Sequence, residues 1–253
     1  MSVMSDRTRP VALITGGGTG VGRACVLQLA GRGYDVVVNY SRSRADAEAT
    51  AQEASSHGVT AIAVQCDVAD DAGVRAMIDQ IKDQFGRLDV LVNNAAMTHF
   101  IPHDDLEGLT EPMWDRMLGV NLKGPFFVTR AAADLLRQGG GGSVVNVSSV
   151  AALTGMGSSI GYCAAKGGLN TMTKSLARVL APEVRVNSVC PGPIDSRWIR
   201  NGNPDWDLNE MVANYPIPKP SQPDDIADAV LFFAVDSKMA TGQILSVDGG
   251  QTL

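Results

Sequence analysis

The feature that most limits how this chain can fold is the alternation of two kinds of segment. Short runs rich in β-branched residues recur at 11–15, 35–39, 60–65, 88–93, 143–147, 185–189 and 243–247. They are strand-sized and apolar in unbroken stretches, as strands covered on both faces must be. Between them lie longer segments at 20–32, 45–57, 70–85, 111–137, 159–180 and 223–233, in which apolar residues return at helical spacing. Strand alternating with helix predicts an α/β, doubly wound architecture of about seven parallel strands with helices on both faces.

No internal repeat or linker divides the 253 residues, so a single domain over 1–253 is expected. The stretch at 195–220 differs in texture, with Trp198, Trp206, Tyr215 and four prolines but no period. It reads as a loop-rich lid over a substrate. The four glycines at 139–142 precede a strand, the wrong side for a phosphate cradle, and read as a loop after a helix end. With a net charge of −6 and no dense Lys/Arg cluster, nucleic acid is excluded as a partner. The first apolar run, 11–14, is far too short for a signal peptide or a membrane span. Cys25, Cys66, Cys163 and Cys190 form no C-x-x-C pair, so they read as buried small hydrophobes. A reducing cytoplasmic location is expected.

The first apolar run leads directly into Gly16-Gly17-Gly18-Thr19-Gly20-Val21-Gly22 and then a helical stretch. Glycines let a backbone turn tightly and approach a pyrophosphate, and the free N–H groups of the following helix favour its charge. The G-x3-G-x-G spacing of Gly16, Gly20 and Gly22 differs from the G-x-G-x-x-G dinucleotide fingerprint. At the end of the second run the sequence is Val38-Asn39-Tyr40-Ser41-Arg42, with no acid to bond adenosine ribose hydroxyls. Ser41 and Arg42 could hold a 2′-phosphate, which favours NADP(H) and leaves NAD(H) open. The alternative is that Arg42 and Arg44 form a solvated helix start.

Tyr162-Cys163-Ala164-Ala165-Lys166 puts a phenol and an ammonium four residues apart, on one helix face. A nearby cation favours the phenolate and should bring a phenol pKa near 10 towards the working range of an acid/base. The pair acquires meaning from its companions. Thr15-Gly16-x3-Gly20-x-Gly22, Asn93-Asn94-Ala95-Ala96, Asn121 in Val-Asn-Leu-Lys, Ser148-Ser149, Tyr162-x3-Lys166, Pro191-Gly192 and Asp248-Gly249-Gly250 fall in one order along the chain. In this it closely resembles the short-chain dehydrogenase/reductase family, over nearly its whole length.

That resemblance implies a Rossmann-type fold and hydride transfer between a nicotinamide cofactor and a ketone or secondary alcohol. Tyr162 would be the general acid/base. Lys166 would lower the Tyr162 pKa and bond the nicotinamide ribose. Ser149 would hydrogen-bond the substrate oxygen, with Ser148 as the neighbouring rival, and Asn121 would hold a water linking Lys166 to solvent. Around the cofactor, the resemblance assigns the glycine turn (Gly16, Gly18, Thr19, Gly20, Val21, Gly22) and Tyr40, Ser41 and Arg42 at the second strand end. It gives Asp67 and Val68 to the adenine, and Asn94, Ala95 and Ala96 to the ribose side. Pro191, Gly192, Ile194 and Ser196 fall to the nicotinamide, with Ile194 at its carboxamide. Two positions depart from the family pattern: Ala96 stands where glycine is usual, and Thr19 where many NADP-dependent members have a basic residue. The family also implies a homotetramer built through the helices at 111–137 and 159–180 and the last strand.

His99 and His103, followed by Asp104 and Asp105, could suggest a metal, but Pro102 breaks the helix such spacing needs, so none is expected. Met97, Met156 and Met211 lie in segments that line the substrate site in the family, and with Trp198 and Trp206 favour a hydrophobic small-molecule ketone. Reduction of 3-oxoacyl groups on acyl carrier protein ranks second. That acidic partner needs basic residues near the site, and 137–142 and 181–183 offer few. A non-catalytic nucleotide-binding sensor is the remote alternative, against which the intact Ser149, Tyr162 and Lys166 stand.

Overall fold

The computed structural model describes residues 9–138, 140–202 and 207–253. The seven β-branched runs form one sheet: β1 (Val11–Ile14), β2 (Asp35–Tyr40), β3 (Ala61–Gln65), β4 (Val90–Asn93), β5 (Gly142–Val147), β6 (Val184–Pro191) and β7 (Ile244–Val247). All pairings are parallel, in the order β3-β2-β1-β4-β5-β6-β7. This is the doubly wound Rossmann-type arrangement. Successive side chains leave a strand on opposite faces. Ala12 and Ile14 of β1 therefore enter one apolar layer with Val36 and Val38, while Val11 and Leu13 enter the other with Val37.

The first layer is closed by α1 (Gly20–Gly31), α2 (Arg44–Ser55) and α10 (Pro223–Leu231). The second is closed by α3 (Asp71–Phe85), α5 (Gly124–Gln138) and α7 (Ile160–Leu180). The chain starts and stops these helices with local signals. Asp70 accepts from the Ala72 N–H to cap α3, whose other end is closed by Gly86 in the left-handed region, and Ser159 caps α7 by accepting from the Tyr162 N–H.

The structure corrects three details of the sequence reading. The segment 111–137 is not one regular helix: α4 (Glu111–Leu118) passes through a π-helical turn at Gly119–Lys123 before α5. Asn121 lies in this widened turn with its side chain in the interior, bonded to the backbone of another segment. A second π turn, Phe232–Asp236, follows α10. The lid is partly helical, with α8 (Arg197–Gly202) and α9 (Leu208–Val212), the short α6 (Ala151–Thr154) lying earlier in the chain. Trp206 and Gly139 lie outside the described residues; Gly140 and Gly141 have positive φ, and Gly142 opens β5. Finally, Cys163 is only half-buried, whereas Cys25, Cys66 and Cys190 are buried; all four are free. No helix among the described residues is long and apolar enough to cross a membrane.

Candidate active site

In an open parallel sheet, ligands bind beyond the strand ends where the order reverses. Here that point lies between β1 and β4, and a cavity of about 910 Å3 opens there. Its wall carries the glycine turn at one side and the Tyr162 helix at the other.

The turn is held by its neighbours. The Thr15 hydroxyl accepts from the Asn94 and Ala95 N–H groups at 3.0 Å each. The Asn94 side chain donates to the carbonyls of Thr15 and Gly16, at 3.0 and 3.1 Å. Gly16 adopts φ +62°, and a Cβ on Gly22 would overlap the Gly16 carbonyl oxygen. The turn is therefore a cradle that only glycine leaves open. Thr19 precedes α1 without a side-chain cap bond, and the first turn holds no acid. The free N–H groups of this 12-residue helix and its positive dipole end face the cavity, which fits a dinucleotide's pyrophosphate.

Gly16, Thr19, Gly20, Val21, Tyr40, Ser41, Arg42, Asp67, Val68, Asn94, Ala95, Ala96, Pro191, Gly192, Ile194 and Ser196 all line the cavity. Three expected site residues do not. A side chain on Gly18 would meet the Ala47 backbone, and the Gly18 carbonyl accepts from Thr50. Gly22 serves the turn's packing instead. Asn121 is fully buried and clasps Met97 at two points, accepting from its N–H at 2.9 Å and donating to its carbonyl at 2.8 Å. That clasp fixes the backbone after β4 at the cavity wall.

Arg44 is indeed a solvated helix start, paired with Glu48 at 2.7 Å, whereas Arg42 reaches the wall. Sequence reasoning missed Arg116. Its guanidinium donates to Asp67 at 2.7 Å, and the other Asp67 oxygen accepts from the Ala69 N–H at 3.0 Å. Burial pushes the Asp67 carboxyl up, but the bonds from Arg116 and Ala69 and the charges of Arg116 and Arg42 more than offset it, so its pKa lies below the usual value. Only the 49-residue separation of Asp67 and Arg116 hid the pair.

At the other side, Ser149 and Tyr162 meet: the Ser149 hydroxyl donates towards the phenol oxygen, which favours its ionised form, and accepts from the Ala151 N–H at 3.1 Å. Ser148 is buried and donates to the Lys166 carbonyl at 3.3 Å, so its hydroxyl is spent on packing α7 against β5. The Lys166 ammonium donates to the Val147 carbonyl at 2.8 Å and lies 5.7 Å from the centre of the Tyr162 ring. This corrects the expectation of a lysine-depressed phenol. Burial pushes Tyr162 up to about 12 even against the Ser149 bond, and pushes Lys166 down to about 8. The phenol is thus stored as a proton donor.

Lys166 gives a pH signature. Between about 8 and the ordinary lysine value of 10.5, the unfolded chain holds a proton there that the folded protein has lost. Lys166 therefore contributes stability to the cofactor-free protein that rises with pH across this window, opposed above pH 9 by the Cys25, Cys66 and Cys163 thiols, which burial pushes up. Tyr162 works the other way, removing stability from pH 10 towards 12. Urea unfolding of the wild type and Lys166→Met from pH 7.5 to 10 checks this: the variant should lose the rise, and parallel curves would contradict it.

The cavity lining also carries the apolar side chains of Met97, Phe100, Met156, Trp198, Ile199 and Met211. The Trp198 ring lies 6.5 Å from that of Tyr162 at 50°. His103 contacts the Gly157 carbonyl, and no group of three or more metal-ligating side chains exists among the described residues.

A family model described as enoyl-(acyl carrier protein) reductase matches residues 16–252. The chain belongs to the short-chain dehydrogenase/reductase family. It is 43% identical over 245 residues to a Streptomyces violaceoruber protein that carries the name of ketoacyl reductase 2 of the granaticin polyketide synthase, covering 96% of both chains. It is 41% identical to the 3-oxoacyl-acyl-carrier-protein reductase of Staphylococcus aureus, covering 94% of this chain and 96% of that protein. Among solved structures, levodione reductase superposes with a TM-score of 0.88 at 29% identity, over 96% of this chain and 97% of that one. As a family member the chain is an oxidoreductase that interconverts carbonyl and CH–OH groups with a nicotinamide cofactor.

Proposed function

We propose that this short-chain dehydrogenase/reductase is an NADP(H)-dependent ketoreductase for a neutral, hydrophobic ketone. The observation that carries the reading is the phenol and hydroxyl of Tyr162 and Ser149 meeting in a cavity whose lining also carries apolar side chains, opposite a glycine cradle and Arg42. When bound, the nicotinamide supplies or accepts the hydride at the carbonyl carbon. Tyr162 gives its proton to the carbonyl oxygen in reduction and takes it back in oxidation. Ser149 donates to the same oxygen as charge develops on it. Lys166 would bond the nicotinamide ribose. Ser41 and Arg42 would hold the 2′-phosphate, the glycine turn and the start of α1 would hold the pyrophosphate, and Ile194 would take the carboxamide side. Asn121 acts through Met97 rather than on the substrate.

A panel of ketones assayed with NADPH and with NADH tests this. Turnover of bulky apolar ketones with NADPH is expected; activity with NADH alone would contradict the Ser41 and Arg42 reading. Reduction of 3-oxoacyl groups on acyl carrier protein is the second reading, favoured by the 41% identical relative of that name. Arg137 and Glu183 precede β5 and β6, at the end of the sheet opposite the cavity, so the charges there weigh neither for it nor against it. A cytoplasmic homotetramer completes the proposal, since Phe126 on α5, Val179 on α7 and Leu245 on β7 expose apolar surface.

A further inference from the structure

The cavity wall carries charge unevenly. Among the described residues that line it, Asp67 is the one carboxylate, while Arg42, Arg116, Lys166 and Arg197 are cationic. Lys166 belongs to the catalytic end, and Arg197 is paired with Asp46 at 3.0 Å. That leaves Arg42, Asp67 and Arg116 together beyond the ends of β2 and β3. Arg44 is occupied by Glu48, and Asp71 by Arg75 and Arg130.

A carboxylate at this place is awkward for an NADP(H) enzyme. Left alone, Asp67 would draw the Arg42 guanidinium to itself and repel the 2′-phosphate that Ser41 and Arg42 are to hold. Arg116 removes both effects: it occupies one Asp67 oxygen at 2.7 Å while the Ala69 N–H occupies the other. Among the described residues, Arg42 makes no ion pair of its own.

We infer that Arg116 is a specificity-determining residue, which secures the preference for a 2′-phosphorylated cofactor by neutralising Asp67. It acts through Asp67 and so is a positioning residue. The inference rests on the NADP(H) reading and adds to it what keeps the local charge positive. With both arginines the cluster carries one net positive charge; without Arg116 it carries none.

Cofactor affinity decides the matter, read by fluorescence titration of the purified protein with NADPH and with NADH. Arg116→Met should weaken NADPH about tenfold or more relative to NADH, the size of effect that one unit charge exerts at short range near a surface. Adding Asp67→Asn to it restores the net charge and should return the NADPH:NADH ratio to within about threefold of wild type. Asp67→Asn alone should raise the ratio above wild type, and it reads the inference even if Arg116→Met folds poorly. An equal loss of both cofactors in Arg116→Met, a ratio that Asp67→Asn does not restore, or a fall in Asp67→Asn alone would each overturn the inference. A wild type that prefers NADH instead overturns the underlying cofactor reading, and the inference with it.

Discussion

Tyr162→Phe is expected to cut kcat/KM for ketone reduction by about 10²–10⁴, the range that a positioned general acid contributes. Phenylalanine keeps the ring that packs near Trp198 and leaves the α7 backbone and its Ser159 cap untouched. What it removes is the proton transferred to the substrate oxygen, together with the bond to Ser149. NADPH affinity, measured by titration, should stay within about threefold of wild type, because the loss falls on the chemical step. A reduction rate within tenfold of wild type would place the acid elsewhere.

Ser41→Asp should produce the largest change at the opposite end. An acid at the end of β2 is what a ribose 2′-hydroxyl recognises, and it repels a phosphate at the same place. The substitution exchanges a neutral hydroxyl for a charge beside Arg42, which then has a carboxylate to pair with. NADPH affinity is expected to fall roughly 100-fold, the combined effect of a lost charge-assisted bond and a new repulsion, while NADH affinity holds or improves. Steady-state KM values for the two cofactors would show it. Unchanged discrimination would mean that Ser41 and Arg42 do not meet the 2′-phosphate.

Sequence made the fold legible because its determinants are local. The β-branched runs that predict strands differ from β1 to β7 by a few residues at their ends. Tyr162 and Lys166 were equally readable, since i,i+4 spacing fixes a shared helix face. The direction of the Lys166 ammonium was not readable, because it depends on the Val147 carbonyl of another strand. Nor was the choice between Ser148 and Ser149, which turns on one residue's step along the backbone: one hydroxyl turns into the packing of α7, the other to the phenol. The π turn, too, answers to a partner outside its own segment, Met97. In each case the information lies in contacts between distant parts of the chain.

The position of the cavity at the reversal of strand order reaches beyond catalysis. β1 pairs with β2 on one side and with β4 on the other, so residues from both halves of the sheet contribute to the wall. A dinucleotide seated there binds only the assembled molecule, and adds RT ln(1 + [L]/Kd) to the cost of opening it, about 2.7 kcal/mol when the free cofactor is 100 times its Kd. Cofactor in either redox state is therefore expected to slow proteolysis of the opened chain, so that its supply bears on how long each copy lasts as well as on how fast it works.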